Sequence, residues 1–193
     1  MTYCFLDIET TGLDPCRDLM LEISWLFTDS RFNVTYMPKT FLVEQDDWQA
    51  TWRQLNQNEV VHKMHSESGL LAALANDEVE KTSLDDIYHQ LESDLGRETL
   101  GGLVNLAGRS VHFDKGILLA NDFNVLFDDS QRVSFHHRML DLSAVNLFLA
   151  SAGVDLQHLQ VVNQIPHRAM HDIMADVQYA QNLREYIAEG IYA

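Results

Sequence analysis

The sequence of 193 residues is short of basic side chains and contains few cysteines. It has 13 Lys and Arg residues against 29 Asp and Glu residues, which gives a formal net charge of −16. A protein that coats long nucleic acid neutralises many phosphates with basic side chains, so this charge argues against long duplex nucleic acid as a partner. The two cysteines, Cys4 and Cys16, provide neither a disulfide framework nor zinc-ribbon spacing, and a reducing cytoplasm is therefore the expected compartment.

Long apolar runs and linker-like segments are also absent from the sequence. No run approaches the ~18 residues of a membrane span, and the first residues lack a signal-peptide pattern, so we expect no membrane partner. The composition, 46% apolar and 22% charged, is typical of a globular protein and not of a disordered acidic tail. We therefore expect one domain over residues 1–193.

The order of the predicted elements indicates the fold class. Residues of β type predict three strands, at 2–9, 20–28 and 32–43, with a hairpin connection at 29–31. A helix is predicted from Ser83 to Leu95, and the remaining elements are a strand at 103–107 after Gly101-Gly102 and helices near 114–121, 141–151 and 167–188. Strands followed by alternating strands and helices predict an α/β fold, a mixed sheet flanked by helices.

Two acidic residues in the first predicted strand are unusual. Asp7 and Glu9 are two positions apart, so both carboxylates project to one face near the C-terminal end of the strand. Like charges this close raise each other's pKa unless a cation lies between them, and a divalent metal is the simplest such cation. The alternative is a strand end that emerges into solvent, but the longer pattern D-x-E-T-T-G favours the metal site.

Further candidate ligands follow at mid-chain and at the start of the last helix. Asp114 falls at a strand-to-helix junction, where open α/β sheets hold their ligands, although a helix cap is the alternative. His167 and Asp172 begin the last predicted helix. His167 and His171 have the spacing of a zinc pair, but no cysteine or H-E-x-x-H glutamate accompanies them. Carboxylate-rich sites suit Mg²⁺ or Mn²⁺ better.

These residues lie in longer segments that occur in a characteristic order. The segments are DIETTGLDP (7–15), MLEI (20–23), HSESGL (65–70), AGRSVHFD (107–114), HHRMLDLS (136–143) and HRAMHDIMADV (167–177). Together they resemble the DEDDh family of 3′→5′ exonucleases, and within it the oligoribonucleases, over most of the chain. The resemblance implies an RNase H-like fold and a homodimer that hydrolyses short RNA oligonucleotides, dinucleotides favoured, to 5′-mononucleotides.

The resemblance also implies the catalytic residues. Two divalent ions, Mg²⁺ or Mn²⁺, would be held by four carboxylates, those of Asp7, Glu9, Asp114 and Asp172, with Asp7 bridging the two ions. His167 would take the proton from the attacking water, a role that suits an imidazole at neutral pH.

Two residues would lie near the bases of the substrate by the same resemblance. Leu13 matches the position that wedges between two bases in oligoribonucleases; the alternative is a leucine that plugs its own turn. His65 would sit near the bases, and the alternative is a histidine in a loop. Where oligoribonucleases usually have an aromatic residue five positions before this histidine, the chain has Val60, and Trp48 or Trp52 is a candidate substitute.

Three residues match those that cap the substrate's 5′-phosphate in oligoribonucleases: Ser110, Arg138 and Ser143. Such a cap would explain a preference for very short substrates, although a surface salt bridge is the alternative for Arg138. His137 stands where the family has a tyrosine that reaches across its dimer interface towards the substrate. A lysine expected shortly after the serine of the cap is missing, with Asn146 nearby.

Two other functions remain open at this point. One is a DEDDh exonuclease of broader specificity, acting on DNA or RNA ends or on signalling oligonucleotides. The other is a non-catalytic nucleotide-binding relative, which the retained Asp7, Glu9, Asp114, His167 and Asp172 disfavour, since a binding module needs no general base.

Overall fold

The computed structural model describes residues 1–99, 103–128 and 130–192, with one mixed sheet at the centre. Its five strands are β1 (Thr2–Thr10), β2 (Met20–Thr28), β3 (Lys39–Leu42), β4 (Val104–Gly108) and β5 (Leu140–Asp141). The strand order is β3-β2-β1-β4-β5. β1, β2 and β3 pair antiparallel, whereas β4 and β5 are parallel to β1 and β4 respectively. β1 is thus the central strand.

Helices cover both faces of the sheet. They are α1 (Trp48–Gln57), α2 (Glu59–Glu67), α3 (Leu70–Ala75), α4 (Leu84–Thr99), α5 (Val111–Ala120), α6 (Leu142–Ser151) and α7 (Ala169–Tyr192). The apolar sides of α4 and α5 pack on one face, and those of α6 and α7 pack on the other. In the part of the chain that the structure describes, no helix is long and apolar enough to cross a membrane.

The central strands and the longer helices agree with the sequence prediction. β1 and β2 lie where the apolar runs placed them, and α4 starts after Ser83, whose Oγ accepts a hydrogen bond from the Asp86 backbone N–H at 3.1 Å. This is an N-cap, which satisfies one of the helix's free N–H groups. The expected mixed α/β sheet flanked by helices is confirmed.

The prediction of a strand over residues 32–43 is wrong for its first half. Only Lys39–Leu42 forms a strand, and a single bridge joins Thr28 to Val34. The carboxylate of Asp29 accepts hydrogen bonds from the backbone N–H groups of residues 31 and 33, and Phe32 has a φ of 66°. A left-handed residue breaks the extended pairing of a strand.

Helices α1, α2 and α3 and the two-residue strand β5 were not predicted. α1 and α2 meet at Asn58, whose side chain accepts from the Val61 N–H, and Gly69 with a φ of 77° precedes α3. These helices are short, and packing against Leu21 and Leu42 of the sheet stabilises them. The predicted break at Gly101-Gly102 lies outside the described residues.

Candidate active site

Asp7 and Glu9 project from the central strand into a cleft of about 550 Å³. They are separated by Ile8, which points to the opposite face and into the core. Glu9 is 7% exposed and Asp7 is partly buried. Neither carboxylate is at a strand end that emerges into solvent, so that alternative is wrong.

The turn after β1 is built around Asp18. Its carboxylate accepts hydrogen bonds from the Thr11 hydroxyl at 3.0 Å and the Asp14 backbone N–H at 2.8 Å. A Cβ on Gly12 would lie 2.4 Å from an Asp18 oxygen, so a larger residue at this position would displace the Asp18 carboxylate from these hydrogen bonds. The turn holds Leu13 at the mouth of the cleft with 81% of its surface exposed, which excludes a leucine plugging its own turn.

Asp114 reaches the cleft from the first turn of α5. It is 3% exposed, and its Oδ1 accepts a hydrogen bond from the Ile8 backbone N–H at 3.1 Å. The helix cap position belongs to Ser110, which has a φ of 54°, so the helix-cap alternative for Asp114 is wrong. The bond to Ile8 fixes Asp114 beside Asp7 and Glu9.

Asp172 and His167 are positioned together at the start of α7. The Asp172 carboxylate accepts from Asn163 Nδ2 at 2.6 Å and from the His167 backbone N–H at 3.0 Å. One ligand atom each of Glu9, His167 and Asp172 lie within 4.8 Å of one another. His171 is exposed and does not line the cleft, so the structure offers no support for a zinc pair of His167 and His171.

A buried ion pair anchors this end of α7. Arg168 donates from Nε and Nη2 to the Glu22 carboxylate, at 3.1 and 2.7 Å, and the Ala169 backbone N–H donates to the same carboxylate at 2.9 Å. Glu22 is the β2 partner of Glu9 in the sheet register. The segment MLEI signalled Glu22, but the sequence did not indicate its contact with Arg168.

Burial and mutual repulsion raise the pKa values of the clustered carboxylates. Burial, followed by the charge of Asp114, raises the pKa of Asp7 well above its ordinary value. Burial and the charge of Asp172 raise the pKa of Glu9 to about 8, and burial raises that of Asp114 to about 7. Burial also raises the pKa of Asp172.

The donor set fits divalent cations. Within residues 1–99, 103–128 and 130–192, no Lys or Arg forms an ion pair with Asp7, Glu9, Asp114 or Asp172. Backbone and amide groups donate to Asp114 and Asp172, but no Lys or Arg ion pair in this described part of the chain offsets the repulsion among the four carboxylates. Hard divalent cations such as Mg²⁺ and Mn²⁺ prefer such oxygen ligands.

A fifth carboxylate in the cleft was missed by the sequence analysis. Asp176 lies one turn after Asp172 on α7, and burial raises its pKa to about 6 although Arg109 lowers it. Arg109 Nε lies 2.9 Å from Asp176 Oδ1. The only signal in the sequence was the four-residue spacing from Asp172, which places two side chains on one helix face.

Of the residues assigned to the phosphate cap, Ser110 lines the cleft and contacts Ser143. Ser110 Oγ and Ser143 Oγ are 3.3 Å apart, and Asp141 Oδ1 accepts from both backbone N–H groups. The Arg138 side chain is exposed, and among the described residues it forms no ion pair, so the surface salt bridge is not observed. The exposed His137 packs against His136, with ring centroids 4.1 Å apart and the ring planes tilted by 41°.

Comparison with known families assigns the chain to a family and to a fold. A sequence model of the RNase_T family, described as exonuclease, matches residues 4–180. The chain belongs to the RNase_T exonuclease family. The exonuclease is therefore a nuclease of the hydrolase class, and the expected RNase H-like fold is confirmed. Exonucleases of the DEDD type generally use divalent metals, in agreement with the carboxylate cluster.

Relatives of this exonuclease include oligoribonucleases from bacteria and mammals. It is 28% identical over 188 residues to an oligoribonuclease of Neisseria meningitidis serogroup C, covering 95% of this chain and 90% of the relative. It is 27% identical over 187 residues to a mitochondrial oligoribonuclease of Mus musculus, covering 95% and 72%. The zinc-bound Escherichia coli ExoI–ssDNA complex has a TM-score of 0.64 at 17% identity. The chain spans 40% of that protein, and the likeness concerns the fold alone.

His65 differs from its expected place beside the bases. It is 1% exposed in α2, its Nε2 donates to the Thr10 carbonyl at 2.8 Å, and its Nδ1 lies 3.7 Å from Glu9 Oε2. Burial lowers its pKa, so the ring is neutral at physiological pH. His65 thus supports the end of β1 from behind, and the loop alternative is also wrong.

The apolar surface of the exonuclease cleft comes from residues other than the tryptophans. Trp48 and Trp52 pack against the helices α1 to α3 and do not line the cleft, and Val60 is exposed on α2. The aromatic residue in the cleft is Phe113, on the turn of α5 that carries Asp114. Phe113 was not predicted because it lies in a segment whose candidate functional residues were Ser110 and Asp114.

Proposed function

We propose that the chain is a metal-dependent 3′→5′ exoribonuclease that hydrolyses short oligoribonucleotides, dinucleotides favoured, to 5′-mononucleotides. Its single exonuclease domain would span residues 1–193. Asp7, Glu9, Asp114 and Asp172 meet in the cleft and form no ion pair with a Lys or Arg among the described residues, and this is the observation that carries the proposal. The relatives named oligoribonuclease support the substrate class.

Four carboxylates would hold two divalent ions, Mg²⁺ or Mn²⁺: Asp7, Glu9, Asp114 and Asp172. When bound, such ions neutralise charge on the scissile phosphate and acidify water. The protein's own part is to hold these ligands rigidly, through the Ile8 bond to Asp114 and the Asn163 bond to Asp172.

His167 would accept a proton from the attacking water. It lies at the edge of the cleft with a φ of 61°, and its ring is partly exposed. The left-handed backbone is held by the bond from its own N–H to Asp172 and by the Arg168 anchor that follows. A base fixed in this way stays beside the carboxylates without an ordering cost at each turnover.

The substrate would extend from the carboxylates to the pair of Ser110 and Ser143. Exposed Leu13 and the partly buried Phe113 offer apolar contacts to two bases, and the serine pair, with Arg138, would hold a terminal 5′-phosphate. A dinucleotide fits between these two ends, whereas a longer chain has to pass the cap.

A homodimer is part of the same proposal. Leu147 and Phe148 on α6 are 74% and 72% exposed, and they follow the segment that carries His137 and Arg138. Adjacent exposed apolar side chains favour burial against another protein surface. A second copy of the chain on α6 would cover them and bring its His137 towards this face. The cytoplasm remains the expected compartment, and Cys4 and Cys16 are both free thiols.

The test is a product ladder. RNA and DNA of two to about twenty nucleotides are incubated with Mn²⁺ or Mg²⁺, with and without chelator, and the products are separated by length. We expect metal-dependent release of 5′-mononucleotides, fastest from RNA dinucleotides. Equal trimming of all lengths would identify an exonuclease of broader specificity, and no hydrolysis of any substrate would leave a non-catalytic nucleotide-binding relative.

Substitutions separate the metal site from the base. Asp7→Ala should abolish turnover with the fold retained, whereas exposed Asp46→Ala serves as the matched control and should leave turnover unchanged. His167→Ala should lose most activity while Mn²⁺ still raises its melting temperature. Full activity of the His167 variant would exclude this residue as the base.

A further inference from the structure

Arg109 and Asp176 form a rigid unit in the wall of the cleft. The Asp176 carboxylate accepts from the Arg109 backbone N–H at 3.0 Å and from its Nε at 2.9 Å. The guanidinium also lies over the Tyr179 ring at 5.1 Å and donates from Nη2 to Gln160 at 3.3 Å. One charged side chain is thus held in place from several directions, which lowers the entropic cost of using it to bind.

The guanidinium retains binding capacity on the cleft side. Among the residues that the structure describes, none accepts a hydrogen bond from its Nη1, and the side chain is 42% exposed. Arginine presents a planar fork of donors, and because Arg109 lines the cleft, its unused Nη1 donors suit a phosphate or carboxylate group. The Asp176 carboxylate holds the guanidinium through Nε and leaves the Nη1 donors unused.

The residues around Arg109 indicate which group of the substrate it contacts. Asp176 follows Asp172 by four residues on α7, a displacement of ~6 Å along the helix. Ser110, next to Arg109, contacts Ser143, and Tyr179 beneath the guanidinium donates to Asn146, one turn after Ser143 on α6. Arg109 therefore lines the cleft next in the chain to a member of the serine pair, and its partner Asp176 lies one helix turn from the candidate metal ligand Asp172.

We propose that Arg109 binds the terminal 5′-phosphate of short oligonucleotide substrates and that Asp176 is the positioning residue that aims it. This inference rests on the proposed function. It adds to Arg138 a second cation, on the turn after β4 and held by Asp176 of α7, at a phosphate site whose α6 side carries the uncharged Asn146. The competing role for Arg109 is purely structural, the neutralisation of buried Asp176.

The test compares an adenylyl dinucleotide that carries a 5′-phosphate with its 5′-hydroxyl counterpart. kcat and KM are measured for both substrates with Mn²⁺, using the wild type, Arg109→Gln, Asp176→Asn and the double variant. Arg53→Gln, an exposed arginine on α1, is the control. We expect Arg109→Gln to raise KM for the phosphorylated substrate at least about tenfold more than for the other, the scale of a charge-assisted hydrogen bond.

The variants separate the two roles of Arg109. If it only neutralises Asp176, Arg109→Gln affects both substrates equally and the double variant, which removes both charges, restores both; that result overturns the inference. If Arg109 binds phosphate, the double variant, which has no unpaired buried charge, still fails to distinguish the 5′-phosphorylated dinucleotide from its 5′-hydroxyl counterpart. Asp176→Asn should lose part of the discrimination. A wild type that hydrolyses neither substrate contradicts the proposed function itself, whereas a wild type active on both, with an unselective Arg109→Gln, contradicts only this inference.

Discussion

Arg168 donates two hydrogen bonds to the carboxylate of Glu22, a residue 146 positions earlier in the chain. The contact joins β2 to the first residues of α7, and the Ala169 backbone N–H binds the same carboxylate. Glu22 is 1% exposed and faces Glu9 across the sheet register. One acidic residue of the buried site is therefore neutralised by the protein, and that neutralised residue fixes the backbone that carries His167.

We expect Glu22→Ala to destabilise the protein by about 3 kcal/mol, because removal of one partner leaves the partly buried Arg168 without its charge partner. Urea denaturation followed by circular dichroism measures this loss. Glu22→Gln keeps an oxygen for the Ala169 N–H and should lose less stability, yet it should lower kcat because Arg168 is held less firmly next to His167. Wild-type stability in both variants would contradict the anchoring role.

Replacement of Asp7 should stabilise the metal-free protein and weaken its stabilisation by Mn²⁺. Asp7→Asn removes one charge from a repelling cluster, so in chelator it should raise the melting temperature by about 2–4 °C, corresponding to about 1 kcal/mol. Mn²⁺ at 100 times its Kd should stabilise the wild type by about 2.7 kcal/mol and the variant much less. Differential scanning fluorimetry with and without Mn²⁺ measures both effects, with Asp46→Asn as the control. A metal-induced shift as large in Asp7→Asn as in the wild type would contradict the ligand assignment.

Metal-free stability should fall as the pH rises from about 5 to about 8. The pKa values of Glu9, Asp114 and Asp176 are raised to about 8, 7 and 6, whereas carboxylates of an unfolded chain titrate near ~4. Between these limits the native state binds more protons than the unfolded state, so each increase in pH favours unfolding. Melting temperatures in chelator across this range test the slope.

Saturating Mn²⁺ should flatten this pH dependence, since the ion replaces the protons in the cluster. Glu9→Gln in chelator should likewise reduce the slope above pH ~6, because it removes the group whose pKa is raised to about 8. A metal-free melting temperature that is constant, or that rises, from pH 5 to 8 would contradict the raised pKa values.

The sequence was sufficient to predict those parts of the fold and site that depend on local patterns. Strong apolar runs predicted β1 and β2, and Ser83 with its 3–4 spacing predicted α4. The strand prediction for residues 32–38 was wrong because the Asp29 turn and the left-handed Phe32 override the β propensity of that segment. The two-residue β5 has no pattern of its own and exists through pairing with β4.

The missed parts of the site depend on contacts between distant positions. Asp176 and Arg109 are 67 positions apart, and nothing local in either segment indicates that they meet. The motif around His65 placed it near the bases, because a sequence motif does not show how deeply a side chain is buried. Only the packing of α2 shows that its ring is buried. Residue spacing can predict which candidate ligands lie on the same strand or helix. It cannot predict whether a side chain points into the cleft or is buried behind it.

The proposed dimer makes a prediction about α6. Leu147→Glu combined with Phe148→Glu should convert a dimer to a monomer, because two charges would be placed in an apolar interface. Light scattering coupled to gel filtration measures the mass, and Met37→Glu, at another exposed apolar position, is the control. A wild type that is monomeric at all concentrations, or a double variant that remains a dimer, would contradict the use of this face.

Phe113 provides the test of base binding in the cleft. Phe113→Leu keeps most of its contact with the core that contains Ile117 but removes the aromatic face, so the fold should persist. Stacking of a base on an aromatic ring contributes about 1–3 kcal/mol, and we therefore expect KM for an RNA dinucleotide to rise about tenfold with a smaller change in kcat. Leu13→Ala should also raise KM, and if the two side chains contact different bases, the double variant should show the product of the two effects. Trp52→Leu, which alters an aromatic residue outside the cleft, is the control and should leave KM unchanged. If Trp52→Leu raises KM and Phe113→Leu does not, the bases lie on α1 and not on α5.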